Sequence, residues 1–564
     1  MTEKPWLAQY PPEIPHTLDY EHLPVQEYLT RAYKKYPNKV AIHFMGRDVS
    51  YKELYESALK FANYLQSVGI QKGDRVAIML PNCPQSVIGV YGALYAGAIV
   101  VQTNPLYTER EIAYQLKDSG AKAILVMDIL YPRVTKILKD TDLENIIVTG
   151  IKDYLPFPKN LVYPFIQKKQ YGFSVKVDHR GMNHLFPEIM KVGKAEPISM
   201  AFDFEEDIAL LQYTGGTTGF PKGVMLTHKN LVANTSMCAV WNYECIEGEE
   251  TILGVLPFFH VYGMTTVLIF SVMLGNRMVL LPKFDVETAL KTIDKQKPTI
   301  FPGAPTIYIG LLNHPDIQKY DLSSIKACLS GSAPLPLEVQ ENFEKITGGR
   351  LVEGYGLTET SPVTHANLIY IGNRVKGSVG VPWPDTEAAI FAVDSTTPLP
   401  FGEIGEIAVK GPQVMKGYWN RPEDTEMTMR DGWFLTGDLG YMDESGYFYV
   451  VDRKKDLIIA GGYNIYPRDV EEVLYEHPEI QECVVVGVPD PYRGETVKAF
   501  IVLKEGASVT EEKLNTYCRE KLAAFKVPRI YEFRKELPKT AVGKILRRTL
   551  VEQEKEKQKE MVQS

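Results

Sequence analysis

At 564 residues the chain is too long for one compact core, so at least two domains are expected. Apolar residues make up 45% and charged residues 23%, a globular balance; the formal net charge of −8 argues against a nucleic-acid binder but leaves room for a local basic patch. The six cysteines, Cys83, Cys238, Cys245, Cys328, Cys483 and Cys518, form no CxxC pair and no zinc-spaced cluster, and are too sparse for a disulfide scaffold, so buried, reduced thiols in a cytoplasmic protein are expected.

In chain order, the start Met1-Thr-Glu-Lys-Pro-Trp6 lacks the basic and apolar regions of a signal peptide. Lys52–Ser67 predicts an amphipathic helix and Arg75–Met79 a short buried strand. Pro81–Thr108 carries no charge, but Pro81, Pro84, Pro105, Gly89, Gly92 and Gly97 interrupt it. It predicts a buried helix (Ser86–Tyr95) and strand (Ala98–Thr103) rather than a membrane span, which needs about 20 continuous apolar residues. Glu109–Ser119 is a helix and Ala123–Met127 a strand; the pairing recurs at Val286–Lys295 with Thr299–Phe301 and at Leu337–Ile346 with Arg350–Glu353. This alternation predicts an α/β fold with mainly parallel sheets. Asn160–Lys194 is different, mixing Lys168, Lys169, Lys176 and Arg180 with Tyr163, Phe165, Tyr171 and Phe173. Without a helical moment it reads as a solvated excursion between two α/β lobes, with peripheral membrane contact as the alternative.

From Phe391 short strands alternate with turns, at Ile404–Val409, Trp433–Thr436 and Tyr447–Val451, predicting a β-rich subdomain. The charged run Asp452-Arg-Lys-Lys-Asp456 then marks a boundary. Residues 1–451 are expected to form a large N-terminal domain, and residues 452–564 a small α+β domain. The latter predicts a helix (Pro467–His477), a hairpin-like pair (Glu482–Val488 and Thr496–Leu503), and a helix opened by a capping box of Ser508 and Glu511.

The strongest local signal is Tyr213-Thr-Gly-Gly-Thr-Thr-Gly-Phe-Pro-Lys-Gly223. Gly215, Gly216 and Gly219 let backbone N–H groups approach polyphosphate oxygens, the hydroxyls of Thr214, Thr217 and Thr218 add donors, and Lys222 adds charge. The order GK[ST] is absent, so this is not a Walker A loop. The flanking strand Ile208–Gln212 and helix His228–Met237 predict a strand–loop–helix phosphate site; a flexible polar turn is the other reading.

This loop resembles that of the adenylate-forming superfamily of acyl-CoA synthetases, firefly-type luciferases and peptide-synthetase adenylation domains. Six further matches follow in the family's order: Leu256-Pro-Phe-Phe-His260, Gly331-Ser-Ala-Pro-Leu335, Glu353-Gly-Tyr-Gly-Leu-Thr-Glu-Thr360, Thr436-Gly-Asp438, Asp452-Arg-Lys-Lys-Asp456 and Pro538-Lys-Thr-Ala-Val-Gly-Lys544. The resemblance implies an enzyme that uses ATP and Mg²⁺ to convert a carboxylic acid to its acyl-adenylate and then passes the acyl group to coenzyme A. It places Tyr355 on adenine between Gly354 and Gly356, with Glu353, Gly331, Ser332 and Ala333 beside the nucleotide and the acyl carboxylate. It sets Thr214 and Glu359 at the metal, with Thr358 alongside, and Asp438 and Arg453 at the ribose, with Lys455 as a further AMP contact. Lys544 becomes the lysine of the adenylation step, though on residue type alone it reads as surface basicity. Gly461 and Gly462 match the glycines beside the coenzyme A arm, and Asp452 matches the hinge about which a mobile C-terminal domain turns. No general base is required, because a carboxylic acid near pKa 4.3 is already ionised at neutral pH.

Asp431–Leu439 and Tyr449–Ile459 resemble the signature of fatty-acyl-CoA synthetases, and Gly461–Pro467 fits the bacterial long-chain group. His260 occupies the family's gate to the acyl tunnel, where many long-chain members carry an aromatic residue; Val261–Met264 and Pro302–Leu311 are candidate tunnel walls. A ligase for a medium-chain or aryl acid, and a non-catalytic nucleotide-binding homologue, are the alternatives.

Overall fold

A computed structural model describes residues 4–172, 175, 177, 181–214, 221–370, 375, 377–393, 395–460, 463–490, 492–540 and 543–563. The chain divides into two compact units, one of residues 6–387 and 410–432, the other built mainly from 388–409 and 433–564. The architecture is mixed α/β, as expected.

The first unit carries an eight-stranded sheet. Its labelled strands are β1 (Arg75–Met79), β2 (Ile99–Gln102), β3 (Ala121–Met127), β4 (Asn145–Thr149), β5 (Asn183–Leu185), β6 (Ile208–Thr214) and β7 (Lys222–Thr227). Their order is β7-β6-β2-β1-β3-β4-β5, with the short strand Gly417–Tyr418 beyond β7. From β6 to β5 every neighbour is parallel, which is why β1 to β4 read as near-continuous apolar runs buried on both faces. Helix α1 (Pro84–Tyr95) is buried along its whole length. Proline opens its first turn, where no intrahelical N–H is needed, and Gly92 fits because a Cβ there would stand 2.7 Å from the Phe61 ring. The uncharged stretch is thus core, and among the described residues no helix is long and apolar enough to cross a membrane.

Three expectations fail in this unit. The glycine/threonine loop does not lead straight into a helix. It joins β6 to β7, which pair antiparallel with Thr214 opposite Lys222, and a helix starts only at His228. The segment Lys222–Thr227 has too few residues for its apolar alternation to stand out beside the helix that follows. Asn160–Lys194, read as lacking a helical moment, overlaps helix α2 (Lys159–Tyr171), a 13-residue helix. Pro164 within it and the outward placement of its apolar side chains hid the pattern.

Helix α3 (His228–Trp241) is capped by Thr227, whose side chain accepts from Asn230 N–H. A second sheet brings strands β8 (Ala327–Ser330) and β9 (Arg350–Gly356) together in parallel, with Ser330 opposite Glu353. Thr299–Phe301 supplies only bridging residue Ile300, not a full strand.

In the second unit, β10 (Trp433–Met442) pairs antiparallel with β11 (Phe448–Arg453). Helix α4 (Pro467–Tyr475) and the antiparallel pair Ile480–Asp490 and Gly494–Leu503 follow as expected. The capping box is corrected: Thr510 caps helix Glu511–Lys521 by accepting from Lys513 N–H, while Ser508 N–H donates to Glu479 at 3.0 Å. Helix α5 (Arg547–Gln563) ends the described chain. All six cysteines are free thiols, five of them buried and Cys245 half-buried.

Candidate active site

In the first unit the site residues gather where strands end. Because β8 and β9 run parallel with Ser330 opposite Glu353, the segments Gly331-Ser332-Ala333 and Gly354-Tyr355 leave neighbouring strands at their carboxyl ends, the usual ligand edge of such sheets. Ser332 takes a left-handed φ of 73°, unusual for a residue with a side chain. Glu353 is buried, and the Tyr355 ring packs 5.7 Å from that of His365, which burial pushes down to about 3 and so keeps neutral. The missing Cβ atoms of Gly354 and Gly356 serve packing as well as access: a Cβ at Gly354 would lie 2.8 Å from Leu329 Cδ1, and one at Gly356 only 2.0 Å from the Pro362 carbonyl oxygen.

The Leu256–His260 segment is fixed beside this edge. Asn82 accepts from Phe258 N–H at 2.9 Å and donates to the carbonyls of Gly254 and Leu256. Gln212, near the end of β6, donates to Phe259 O at 2.6 Å. His260 is half-buried and starts the next helix, its Nδ1 accepting from Tyr262 N–H at 3.3 Å. The Tyr262 ring fills the space a Cβ at Gly331 would need, and its hydroxyl donates to Leu329 O at 2.6 Å. Thr265 then donates to Ser361 O at 2.7 Å, tying this helix to the turn that carries Thr358 and Glu359. Met264–Ile269 is a buried π-helical stretch, a form common at functional sites.

A polar chain links the loop lysine to the distant carboxylate. The Lys222 ammonium pairs with Asp424 at 2.5 Å and lies 5.2 Å from the centre of the Tyr418 ring. The Tyr418 hydroxyl donates to Glu359 Oε1 at 2.8 Å. Burial, and next the Glu359 charge, hold that phenol well above its ordinary range, so it stays a donor. The sequence reading missed Tyr418, Asp424, Asn82 and Gln212. The aromatic pair Tyr418-Trp419 after Gly417 was the available signal, but only the pairing of Gly417–Tyr418 with β7 shows what it abuts. Gly215, Gly216, Thr217, Thr218 and Gly219, and likewise Gly461 and Gly462, lie outside the described residues.

In the second unit Asp438 and Arg453 stand opposite each other on β10 and β11, Arg453 Nε 3.3 Å from Asp438 Oδ1. Asp438 is buried at a Thr-Gly turn, where Thr436 Oγ1 accepts from its N–H at 3.1 Å. Lys544 joins this pair from a tight hairpin. Its N–H donates to Thr540 Oγ1 at 3.1 Å, its carbonyl accepts from Thr540 N–H at 2.8 Å, and Gly543 turns the chain at a φ of 79°. Burial first, and the Arg453 guanidinium second, push the Lys544 ammonium down to about 7, with Asp438 opposing. Lys455 is held below its ordinary range by desolvation and then by Arg453. Thus Asp438, Arg453, Lys455 and Lys544, up to 106 residues apart in sequence, share one electrostatic neighbourhood. Three residues after Lys544, Arg547 pairs with Glu471 at 2.5 Å, Asp452 at 3.3 Å and Asp456 at 3.6 Å. Asp452 also accepts from the N–H groups of Arg453 and Arg468.

The chain is similar to known proteins along nearly its whole length. The AMP-binding enzyme family matches residues 29–419, and the AMP-binding enzyme C-terminal domain matches residues 469–544. A long-chain-fatty-acid–CoA ligase of Bacillus subtilis (strain 168) is 59% identical over 98% of this chain and 99% of its own. Among solved structures, ATP-bound MatB from Rhodopseudomonas palustris is 30% identical with a TM-score of 0.81, covering 94% of this chain and 99% of its own. The anthranilate CoA ligase AuaEII in complex with anthranoyl-AMP is 29% identical with a TM-score of 0.84, covering 96% of this chain and 98% of its own. With both family domains matched in order, the chain belongs to the AMP-binding enzyme family.

Proposed function

We infer that this protein is an ATP-dependent long-chain fatty acid–CoA ligase. The observation that carries the chemistry is the gathering of Lys544 with Asp438 and Arg453 on one unit: a cation beside a carboxylate and guanidinium suited to a ribose and phosphate. The chain-length reading follows the 59%-identical relative, whose name specifies long-chain acids.

In the first half-reaction the acyl carboxylate oxygen attacks the α-phosphorus of ATP and pyrophosphate leaves. Asp438 accepts hydrogen bonds from the ribose hydroxyls, Arg453 assists, and Lys544 stabilises the charge building between carboxylate and phosphate. Lys222 and the loop it closes cradle the leaving phosphates, Lys455 contacts AMP, and Tyr355 stacks on adenine. Mg²⁺ fits this site only as a shared ion. Among the described residues no cluster of three metal-binding side chains occurs, whereas Glu359, held by Tyr418, and the Thr214 hydroxyl suit an ion that draws its other ligands from phosphates and water. When bound, the ion would supply Lewis-acid charge stabilisation.

In the second half-reaction the coenzyme A thiol attacks the acyl carbonyl and AMP leaves. Residues 452–564 act as a lid that turns at Asp452, moving Lys544 away and bringing Gly461 and Gly462 to the coenzyme A arm, while residues 1–451 hold the nucleotide and the acyl group. His260 stands at the entrance to the acyl tunnel. A peripheral membrane contact suits an enzyme of water-insoluble acids.

The test is pyrophosphate release with ATP, Mg²⁺ and a series of acids, with and without coenzyme A. The expected result is acid-dependent release with kcat/KM rising toward palmitate. A maximum at octanoate or benzoate overturns the long-chain assignment, and no release with any acid overturns the ligase.

A further inference from the structure

Helix α2 faces the opposite way from a core helix. None of its described side chains is buried. Leu161, Val162, Phe165 and Ile166 are 61%, 50%, 75% and 53% exposed, and their spacing puts them on one face. Phe157, just before the helix, is 79% exposed. The polar residues take the inner side: Gln167 donates to Asp128 at 2.8 Å, and Asn160 Oδ1 is shielded from solvent. An ordinary surface helix does the reverse.

Along the helix itself the charges have one sign. Lys159, Lys168 and Lys169 are exposed, and residues 157–172 include no aspartate or glutamate. Lys159 also donates to the Met45 carbonyl at 3.1 Å, which brings the exposed turn at Met45 beside the start of the helix.

An apolar strip on a helix whose own charges are all basic matches one occupant. Two copies joined through it would bring like charges together, which disfavours self-association. A bilayer with anionic headgroups takes the apolar side chains into its acyl boundary and the ammonium groups onto its phosphates. We propose that α2 and the preceding Phe157 form a docking surface for an anionic phospholipid bilayer. This placement delivers the enzyme to the phase where long-chain acids concentrate, so its use rests on the ligase reading although the binding itself does not.

The experiment is sedimentation of the full-length protein with vesicles, without ATP, acid or coenzyme A. One set is phosphatidylcholine alone; the other contains about 30% phosphatidylglycerol to supply negative charge. The wild type is expected to sediment with the anionic set and to be released by salt. Phe165→Ser with Ile166→Ser is expected to weaken that binding about tenfold or more. Lys168→Gln with Lys169→Gln is expected to abolish the preference for phosphatidylglycerol. Unchanged pyrophosphate release from water-soluble octanoate shows that the variants are folded; where octanoate is not turned over, unchanged thermal unfolding shows the same. The proposal is overturned if the wild type ignores anionic vesicles, if the serine variant binds as well as the wild type, or if that variant only converts a dimer to a monomer. Vesicle binding is read without turnover, which serves only as a folding control, so its failure is separate from failure of the ligase reading.

Discussion

Lys544 ties a protonation state to a position. In the unfolded chain its ammonium titrates near 10.4, whereas in the folded protein it is pushed down to about 7. Below pH 7 both states hold the proton, and folding bears the full cost of desolvating the charge and of setting it near Arg453. Between pH 7 and about 10.4 the unfolded state binds more protons than the folded state, so stability rises with pH across that window. Lys544→Met removes the titration. Its melting temperature relative to wild type is therefore expected to be highest at or below pH 7 and to fall steadily as the pH is raised toward 10. A difference independent of pH shows that Lys544 is not desolvated. Tyr418 makes a separate prediction. Tyr418→Phe removes the donor to Glu359, the proposed metal ligand, while keeping the ring beneath Lys222, and partners one step removed from a metal ligand typically alter affinity about 10- to 100-fold. The Mg²⁺ concentration for half-maximal pyrophosphate release is expected to rise about tenfold. An unchanged Mg²⁺ requirement removes Glu359 from the metal site.

Strand β9 shows what was legible in the sequence and what was not. The apolar run predicted a strand over Arg350–Glu353, but the strand continues to Gly356. Glycine normally weakens strands, so Gly354 and Gly356 read as its end. Their actual role, letting Leu329 and the Pro362 carbonyl approach, depends on chain distant in pairing if not in sequence. Gly356→Ala is expected to cost about 3 kcal/mol by overpacking. Gly348→Ala, at a left-handed helix end with open space around it, is expected to cost only about 1 kcal/mol. Denaturant unfolding of the two variants distinguishes packing from backbone strain. The same division holds elsewhere. Helices and strands with core-facing periodicity, such as Glu109–Ser119 and Arg75–Met79, were read to the residue. Helix α2 was missed because the pattern assumes that apolar residues turn inward, and Tyr418 because its meaning comes from a partner strand about 190 residues earlier. Asp438, Arg453 and Lys544 were located only through resemblance, since spacing alone offers no reason for their convergence.

At the scale of the whole molecule, the proposed lid motion separates the two half-reactions. Lys544→Ala is expected to abolish pyrophosphate release while leaving thioester formation from supplied acyl-adenylate within about threefold of wild type, because the role proposed for Lys544 is to act on charge present only in the first transition state. Equal loss of both steps overturns the lid account. The cysteines have a consequence for the second step. Burial raises all six thiols, Cys83 and Cys245 to about 12 and the others also upward, so almost none is thiolate at neutral pH. Thiolate is the form that attacks a disulfide. An enzyme whose own substrate is a thiol therefore offers no competing nucleophile to that substrate's oxidised form. Incubated folded with coenzyme A disulfide, the protein is expected to gain no adduct mass, and to acquire mixed disulfides only once denatured.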